Sequence, residues 1–99
     1  MNNLFDIKGN VTVITGGTGV LGRAIAKYLA LEGAKVIILG RKEDLGNAIA
    51  QEICSQGGCC EFMKTDVMNI DVVKNNCRDI LQKYGRIDTL LNARGNNST

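Results

Sequence analysis

Apolar residues follow two alternating patterns along the 99-residue chain. Short apolar runs bounded by glycine, asparagine or other turn formers are typical of strands buried in a parallel sheet. Such runs occur at 11–14, 35–39, 61–65 and 87–91. Between them, apolar residues recur three and four positions apart, which is the spacing of one helix face. The sequence therefore predicts strands and helices in alternation.

Each of the three predicted helices has an apolar face. The first runs from Leu21 to Gly33, the second ends at the Gly57–Gly58 pair, and the third begins at a cap, Asn69 or Asp71. Both tyrosines fall on these faces and are expected to pack in the core. The residues expected to face inward are Leu21, Ile25, Tyr28, Leu29 and Leu31, then Leu45, Ala48, Ile49 and Ile53, then Val73, Cys77, Ile80, Leu81 and Tyr84.

Strands alternating with helices of ten to fifteen residues favour right-handed crossovers and an α/β fold. The prediction is a Rossmann-type doubly wound parallel sheet that contains the first four βα steps, with strand order 3-2-1-4. Residues 1–99 would form one nucleotide-binding domain that is incomplete. Ligands of such sheets bind outside the carboxyl ends of the strands, where the order reverses between strands 1 and 4. The fourth strand would be an unpaired edge, so the isolated chain is expected to be marginally stable or to self-associate.

A glycine-rich turn, Thr15 to Gly22, lies between the first strand and the first helix and satisfies G-x-G-x-x-G through Gly17, Gly19 and Gly22. Missing Cβ atoms let backbone N–H groups approach a pyrophosphate, and the helix N-terminus adds partial positive charge. The expected cofactor-binding residues of the turn are Gly16, Gly17, Thr18, Gly19, Leu21 and Gly22. A turn that merely reverses the chain is the alternative. A P-loop is disfavoured because Arg23 and Ala24 replace its lysine and hydroxyl residue.

The end of the second strand predicts which dinucleotide binds. An acidic residue there binds the ribose 2′-hydroxyl of NAD, whereas a basic residue suits the 2′-phosphate of NADP. The chain has Gly40, Arg41 and Lys42 at this point, and Arg41 can present a planar fork to a phosphate. NADP(H) is therefore favoured as the cofactor. Glu43 and Asp44 lie close by in the sequence, so NAD(H) stays possible.

Composition and charge exclude several other classes of protein. The chain is 44% hydrophobic and 22% charged with a net charge of +2, and it has no run of five or more like charges, so no nucleic-acid partner is expected. Its apolar stretches are far shorter than the roughly 18–20 residues that span a membrane, and no signal peptide is visible. A cytoplasmic location is expected. The four cysteines lack zinc-site spacing and histidine is absent, so reduced thiols and no metal are expected.

These residues together resemble the short-chain dehydrogenase/reductase family over 4–97. Residues 15–22 are similar to its T-G-x-x-G-x-x-G motif. By this resemblance, Asp66 would hydrogen-bond the adenine amino group and Val67 would pack against the ring. Residues 92–95 fall on the family's N-N-A-G motif, which implies that Asn92, Ala93 and Gly95 lie beside the cofactor. Ala93 and Arg94 depart from that motif, and the bulky Arg94 would have to turn away from the cofactor.

The resemblance implies an NAD(P)-dependent oxidoreductase, and the opening 4–9, the glycine turn and 95–97 resemble its fructuronate reductase (D-mannonate oxidoreductase) branch. A sugar acid would then be the substrate. No catalytic residue is expected in this chain, because the family's serine and Tyr-x-x-x-Lys pair would lie beyond Thr99 and neither tyrosine here has such a lysine. Homo-oligomers are expected only for the full-length protein. The alternatives are a non-catalytic dinucleotide-binding or interaction module, and another Rossmann enzyme such as an extended-branch sugar-nucleotide epimerase or a methyltransferase.

Overall fold

The computed structural model describes residues 8–16 and 18–93. Strands and helices alternate throughout this part of the chain, as the apolar pattern predicts. In order they are β1 (Val11–Thr15), α1 (Val20–Leu31), β2 (Lys35–Gly40), α2 (Glu43–Ser55), β3 (Cys59–Lys64), α3 (Ile70–Tyr84) and β4 (Thr89–Asn92).

The four strands form one parallel sheet in the order β3-β2-β1-β4. Val13 is in register with Ile37 of β2 and with Leu90 of β4, so β1 lies at the centre. This arrangement confirms the predicted doubly wound sheet and its strand order. β4 is an edge strand of the described sheet, and Leu90 is exposed on it. The self-association predicted from an unpaired edge stays a prediction.

Successive residues of the central strands point to opposite faces of the sheet and form two separate cores. Ile14 and Ile38 pack under α1 and α2, whereas Val13 and Ile37 pack under α3. All four side chains are fully buried, which is why the two central strands have continuous apolar sequences. The helices on both faces thus leave the strand ends as the open side of the described domain.

The predicted inner face of α1 was partly wrong. Tyr28 is 65% exposed and Leu21 62% exposed, and Leu31 is exposed as well. Small residues make the close contact with the sheet instead: Ala26 and Ala30 are buried, with Ile25 and Leu29 partly buried beside them. A helix packs closest to a sheet where its residues are small, so the alanines rather than the large side chains form the contact face.

In each of the other two helices, one residue that was predicted to face inward is exposed. Ala48 of α2 is exposed, because Ile49, Ala50 and Ile53 face the sheet. Leu81 of α3 is 48% exposed. The remaining predicted inward residues of α3 (Val73, Cys77, Ile80 and Tyr84) are buried or half-buried.

Strand limits differ from the predicted ones by one or two residues. β3 begins at Cys59 rather than at residue 61 and ends before Thr65. β4 begins two residues later than predicted. Just before it, the Asp88 amide donates to the Val11 carbonyl and the Val11 amide donates to Asp88 Oδ2, both at 2.8 Å, which joins Asp88 to the start of β1. The Arg86 guanidinium, together with the Val11 amide, holds the pKa of Asp88 below its ordinary value.

A half-buried tyrosine ties α3 to β3 on the second face of the sheet. The Tyr84 hydroxyl donates to Glu61 Oε1 at 2.5 Å, and Lys83 Nζ lies 2.9 Å from the same oxygen. Burial, followed by the bond to Glu61, raises the pKa of Tyr84. Burial also raises the pKa of Glu61, but the bonds from Tyr84 and Lys83 outweigh it, and the net shift is downward. Glu61 is therefore held as the carboxylate, the form that accepts both bonds.

The four cysteines all lie in the described residues and are unpaired. Cys60 is buried in the core, and burial raises the pKa of its thiol to about 12. Cys54 lies on the surface, where its Sγ donates to the Cys60 carbonyl at 3.3 Å. In residues 8–16 and 18–93, no set of three or more acidic or thiol side chains is placed to hold a metal ion. No helix in the same ranges is long and apolar enough to cross a membrane.

Candidate dinucleotide-binding site

The sequence-predicted site residues that the structure describes lie along the carboxyl-terminal edge of the sheet. Thr15 at the end of β1 is in register with Asn92 at the end of β4, and the Ala93 amide donates to the Thr15 carbonyl at 2.9 Å. β1 leads into α1 on one face of the sheet, whereas α3, which precedes β4, lies on the other face, so the strand order reverses between β1 and β4. This is the point where ligands of doubly wound sheets bind.

Gly16 turns the chain sharply out of β1. Its φ of +74° lies in the left-handed region, which favours glycine. The Gly16 amide donates to the Leu39 carbonyl of β2 at 3.4 Å, and the Gly16 carbonyl accepts from the Gly19 amide at 3.3 Å. Gly17 lies outside the described residues. At Gly16 the backbone conformation alone therefore accounts for the glycine.

Gly19 is different, because nothing in the fold requires glycine there. Its φ of −76° and ψ of 175° are accessible to any residue. A Cβ built on it would lie 3.7 Å from the nearest atom outside its immediate neighbours, the Gly16 carbonyl oxygen, which is an ordinary contact. What the missing side chain does provide is open space in front of the first turn of α1.

The N-terminus of α1 differs from those of the other two described helices. Gly19 is its N-cap and offers no side-chain acceptor, and the first turn contains no acidic residue. By contrast, α2 has Glu43 and Asp44 in its first turn, and α3 is capped by Asn69, whose side chain accepts two backbone N–H groups. Asn69 rather than Asp71 is thus the α3 cap. The amides that open α1 therefore have partial positive charge that no side chain of the helix offsets.

The first-turn residues of α1 divide into an exposed side and a buried side. Gly22 is buried. Leu21 and Val20 are exposed at the mouth of the turn. Exposed apolar side chains at this point leave a surface that a ligand lying across the turn would cover.

The end of β2 touches the glycine turn. A Cβ built on Gly40 would lie 3.8 Å from the Thr18 methyl carbon and 3.6 Å from the Phe62 ring, so the two segments pack side by side. Arg41 follows directly and is exposed, as is Lys42. Arg41 is therefore accessible to solvent, on the same edge of the sheet as the glycine turn.

Asp66 lies beside the end of β2. The Thr65 amide donates to the Gly40 carbonyl at 2.6 Å, which joins the chain after β3 to the end of β2. Asp66 is exposed, and its Oδ1 accepts from the Met68 amide at 3.0 Å, which fixes the carboxylate in a tight turn. Val67 next to it is half-buried.

The other end of the edge is described only in part. Asn92 is exposed, and Ala93 is half-buried against the core under α1 and α2. Gly95 and Arg94 lie outside the described residues, so their predicted contact with a cofactor stays a prediction.

Along the edge of the sheet, these features lie in the same order as the chemical groups of a dinucleotide. Following the sheet from β3 to β4, the edge shows a carboxylate (Asp66), a guanidinium (Arg41), the uncapped helix N-terminus behind Gly19, and Asn92. The corresponding parts are a base, a ribose with or without a phosphate, a diphosphate and a second nucleoside. The residues present therefore fit an extended dinucleotide that crosses the strand ends.

Comparison with known proteins supports this interpretation. The family model for short chain dehydrogenases matches residues 10–99. The chain is 43% identical over 91 residues to a 3beta-hydroxysteroid dehydrogenase of Mediterraneibacter gnavus, an alignment that covers 92% of this chain and 32% of that protein. The chain spans about a third of the length of the curated relatives it matches.

Solved structures show the same fold. A metagenomic short-chain oxidoreductase in complex with NADP superposes with a TM-score of 0.82 at 32% identity, over 86% of this chain and 38% of that one. A protein described as a D-mannonate oxidoreductase from Haemophilus influenza, with bound NAD, gives a TM-score of 0.86 at 30% identity, over 94% of this chain and 33% of that one. With a family model matched along nearly all of its length and oxidoreductase relatives in both comparisons, the chain belongs to the short chain dehydrogenase family.

Proposed function

We propose that residues 1–99 are the cofactor-binding part of an NAD(P)-dependent oxidoreductase and that they bind NADP(H) in preference to NAD(H). The uncompensated N-terminus of α1 behind Gly19 carries this proposal, because a diphosphate would satisfy amides that no side chain of the helix caps. The bound cofactor would supply the hydride. The residues of this chain would bind and orient it.

The dinucleotide would lie with its adenine at Asp66 and Val67 and its diphosphate on the turn formed by Gly16, Gly17, Thr18, Gly19, Leu21 and Gly22. Its second nucleoside would lie toward Asn92, Ala93 and Gly95. The Asp66 carboxylate can accept a hydrogen bond from an amino group. The hydrogen bond from the Met68 amide to Asp66 Oδ1 already orients this carboxylate.

The preference for NADP(H) rests on Arg41. Its exposed guanidinium follows the Gly40 carbonyl, at the strand end that faces an adenosine ribose in sheets of this type. Glu43 and Asp44, the nearest carboxylates, are already placed in the first turn of α2, where they stabilise that helix. They are therefore less suited to bind a ribose hydroxyl than a residue at the strand end itself.

Replacing Arg41 with alanine should weaken NADPH binding about tenfold, the effect of one charge-assisted hydrogen bond, and should leave NADH binding unchanged. Fluorescence titration of the 99-residue chain with each dinucleotide measures both affinities. Lys42→Ala is the matched control, since it removes a neighbouring positive charge without removing the fork. A wild-type chain that prefers NADH, or an Arg41→Ala variant that loses both cofactors equally, would refute the assignment to NADP(H).

For the whole protein we propose a sugar acid of the fructuronate/mannonate type as substrate. The support is the likeness to the protein described as a D-mannonate oxidoreductase and the resemblance of the glycine turn to that branch. The relative named as a hydroxysteroid dehydrogenase makes a steroid the competing substrate class. Homo-oligomers of the full-length protein and a cytoplasmic location complete the proposal.

A further inference from the structure

α3 carries one buried polar residue on the face that packs against the sheet. Asn76 is 9% exposed, and its side-chain amide donates to the Oγ1 of Thr65, which is 2% exposed. The pairing is complete, since no buried side-chain nitrogen or oxygen in 8–16 and 18–93 lacks a partner. The hydrogen bond thus joins the middle of α3 to the first residue after β3.

Packing alone does not explain this asparagine. A buried amide loses its water, and a hydrogen bond to a neutral hydroxyl only roughly offsets that loss. An apolar side chain of the same branched shape, such as leucine, would not carry this desolvation cost. The amide therefore does something that an apolar side chain would not, which is to fix the position of the Thr65 hydroxyl.

Thr65 is the centre of a small network at the end of β3. Its hydroxyl accepts from Asn76 and donates to the Met63 carbonyl at 3.2 Å, while its amide donates to the Gly40 carbonyl at 2.6 Å. Asp66 follows Thr65 directly and is exposed. The network therefore fixes the backbone at Thr65, immediately before the exposed Asp66.

We propose that Asn76 is a positioning residue: through Thr65 it holds the Asp66 carboxylate in the place where it recognises the amino group of the adenine base. This inference rests on the proposed binding of a dinucleotide and adds to it the residue pair that makes the site selective for the base. Asn76 itself touches no part of the ligand.

The test compares NADPH with deamino-NADPH, in which hypoxanthine replaces adenine and a carbonyl oxygen takes the place of the amino group. Dissociation constants for both are measured by fluorescence titration of the full 99-residue chain, wild type and the variants Asn76→Leu and Thr65→Val. Asn75→Leu is the matched control, because it places the same side chain one residue earlier, on the exposed side of α3. Circular dichroism reports the melting temperature of each protein.

We expect the wild type and Asn75→Leu to prefer NADPH, and both network variants to lose about fivefold of that preference, the effect of one neutral hydrogen bond. A purely structural role would leave the ratio of the two constants unchanged, and that result would overturn the inference. A wild type that binds both dinucleotides equally would overturn it as well, whereas a wild type that binds neither would refute the proposed function itself. If Asn76→Leu does not fold, Thr65→Val decides. If neither folds, the pair is a folding determinant and the positioning role is rejected.

Discussion

Replacing Gly19 with aspartate is expected to abolish NADPH binding while making the fold slightly more stable. The backbone at Gly19 accepts any residue, and a Cβ there makes only an ordinary contact, so the substitution does not strain the turn. An aspartate N-cap, together with its negative charge at the helix N-terminus, should add about 0.5 kcal/mol to the free energy of unfolding. The same carboxylate would repel a diphosphate at about 4 Å, and affinity should fall at least about a hundredfold.

The two effects of Gly19→Asp are measured separately, by urea unfolding followed by circular dichroism and by NADPH titration. Gly19→Asn is the control, because it offers the same cap without the charge. It should raise stability similarly but weaken NADPH binding much less than the aspartate. An aspartate variant that binds NADPH as tightly as the wild type would show that the diphosphate does not lie at this helix.

Gly46→Val is expected to destabilise the fold by about 2 to 3 kcal/mol, because the core has no room for a side chain there. A Cβ built on Gly46 would overlap the Phe62 ring and lie only 2.6 Å from its Cγ, the atom nearest the backbone. Valine has a slightly better helix propensity than glycine, a gain of a few tenths of a kcal/mol that does not offset the overlap. Urea unfolding of the variant measures the net change.

Ala48→Val is the matched control for this prediction, since Ala48 is exposed on the same helix and valine there should cost only a few tenths of a kcal/mol. A double-mutant cycle with Phe62→Ala isolates the contact. In the Phe62→Ala background the cost of Gly46→Val should disappear. Equal losses with and without the ring would show that the close packing of α2 on β3 is not the cause.

The alternation of strands and helices could be predicted because local sequence carries it, and the strand order then followed from the rules for right-handed crossovers in doubly wound sheets. The continuous apolar runs at 11–14 and 35–39 identify strands buried on both faces, and glycines mark the ends of the helices between them. The orientation of each helix could not be predicted as well. Tyr28 is exposed because Ala26 and Ala30 take the contact face, and a pattern weighted by side-chain size selects the wrong residues.

The glycine turn and the end of β2 could be singled out from the sequence, because glycines and strand ends leave a local pattern, but the contacts of these residues with a dinucleotide stay a prediction. The G-x-G-x-x-G turn and the strand-end Arg41 follow from spacing and position, whereas the T-G-x-x-G-x-x-G form rests on the resemblance to the family. The Thr65–Asn76 pair was missed, because the two residues lie in different elements and form a bond only when α3 packs on the sheet. In the sequence, the pair is indicated by a polar residue, Asn76, near the apolar face of α3.

The most direct test of the central claim is an amide NMR titration of ¹⁵N-labelled chain with NADPH. If the first turn of α1 binds the diphosphate, the amide signals of Gly19, Val20, Leu21 and Gly22 should shift most, and they should saturate together with the fluorescence change. Shifts confined to the N-termini of α2 or α3, with the four α1 amides unmoved, would contradict the account.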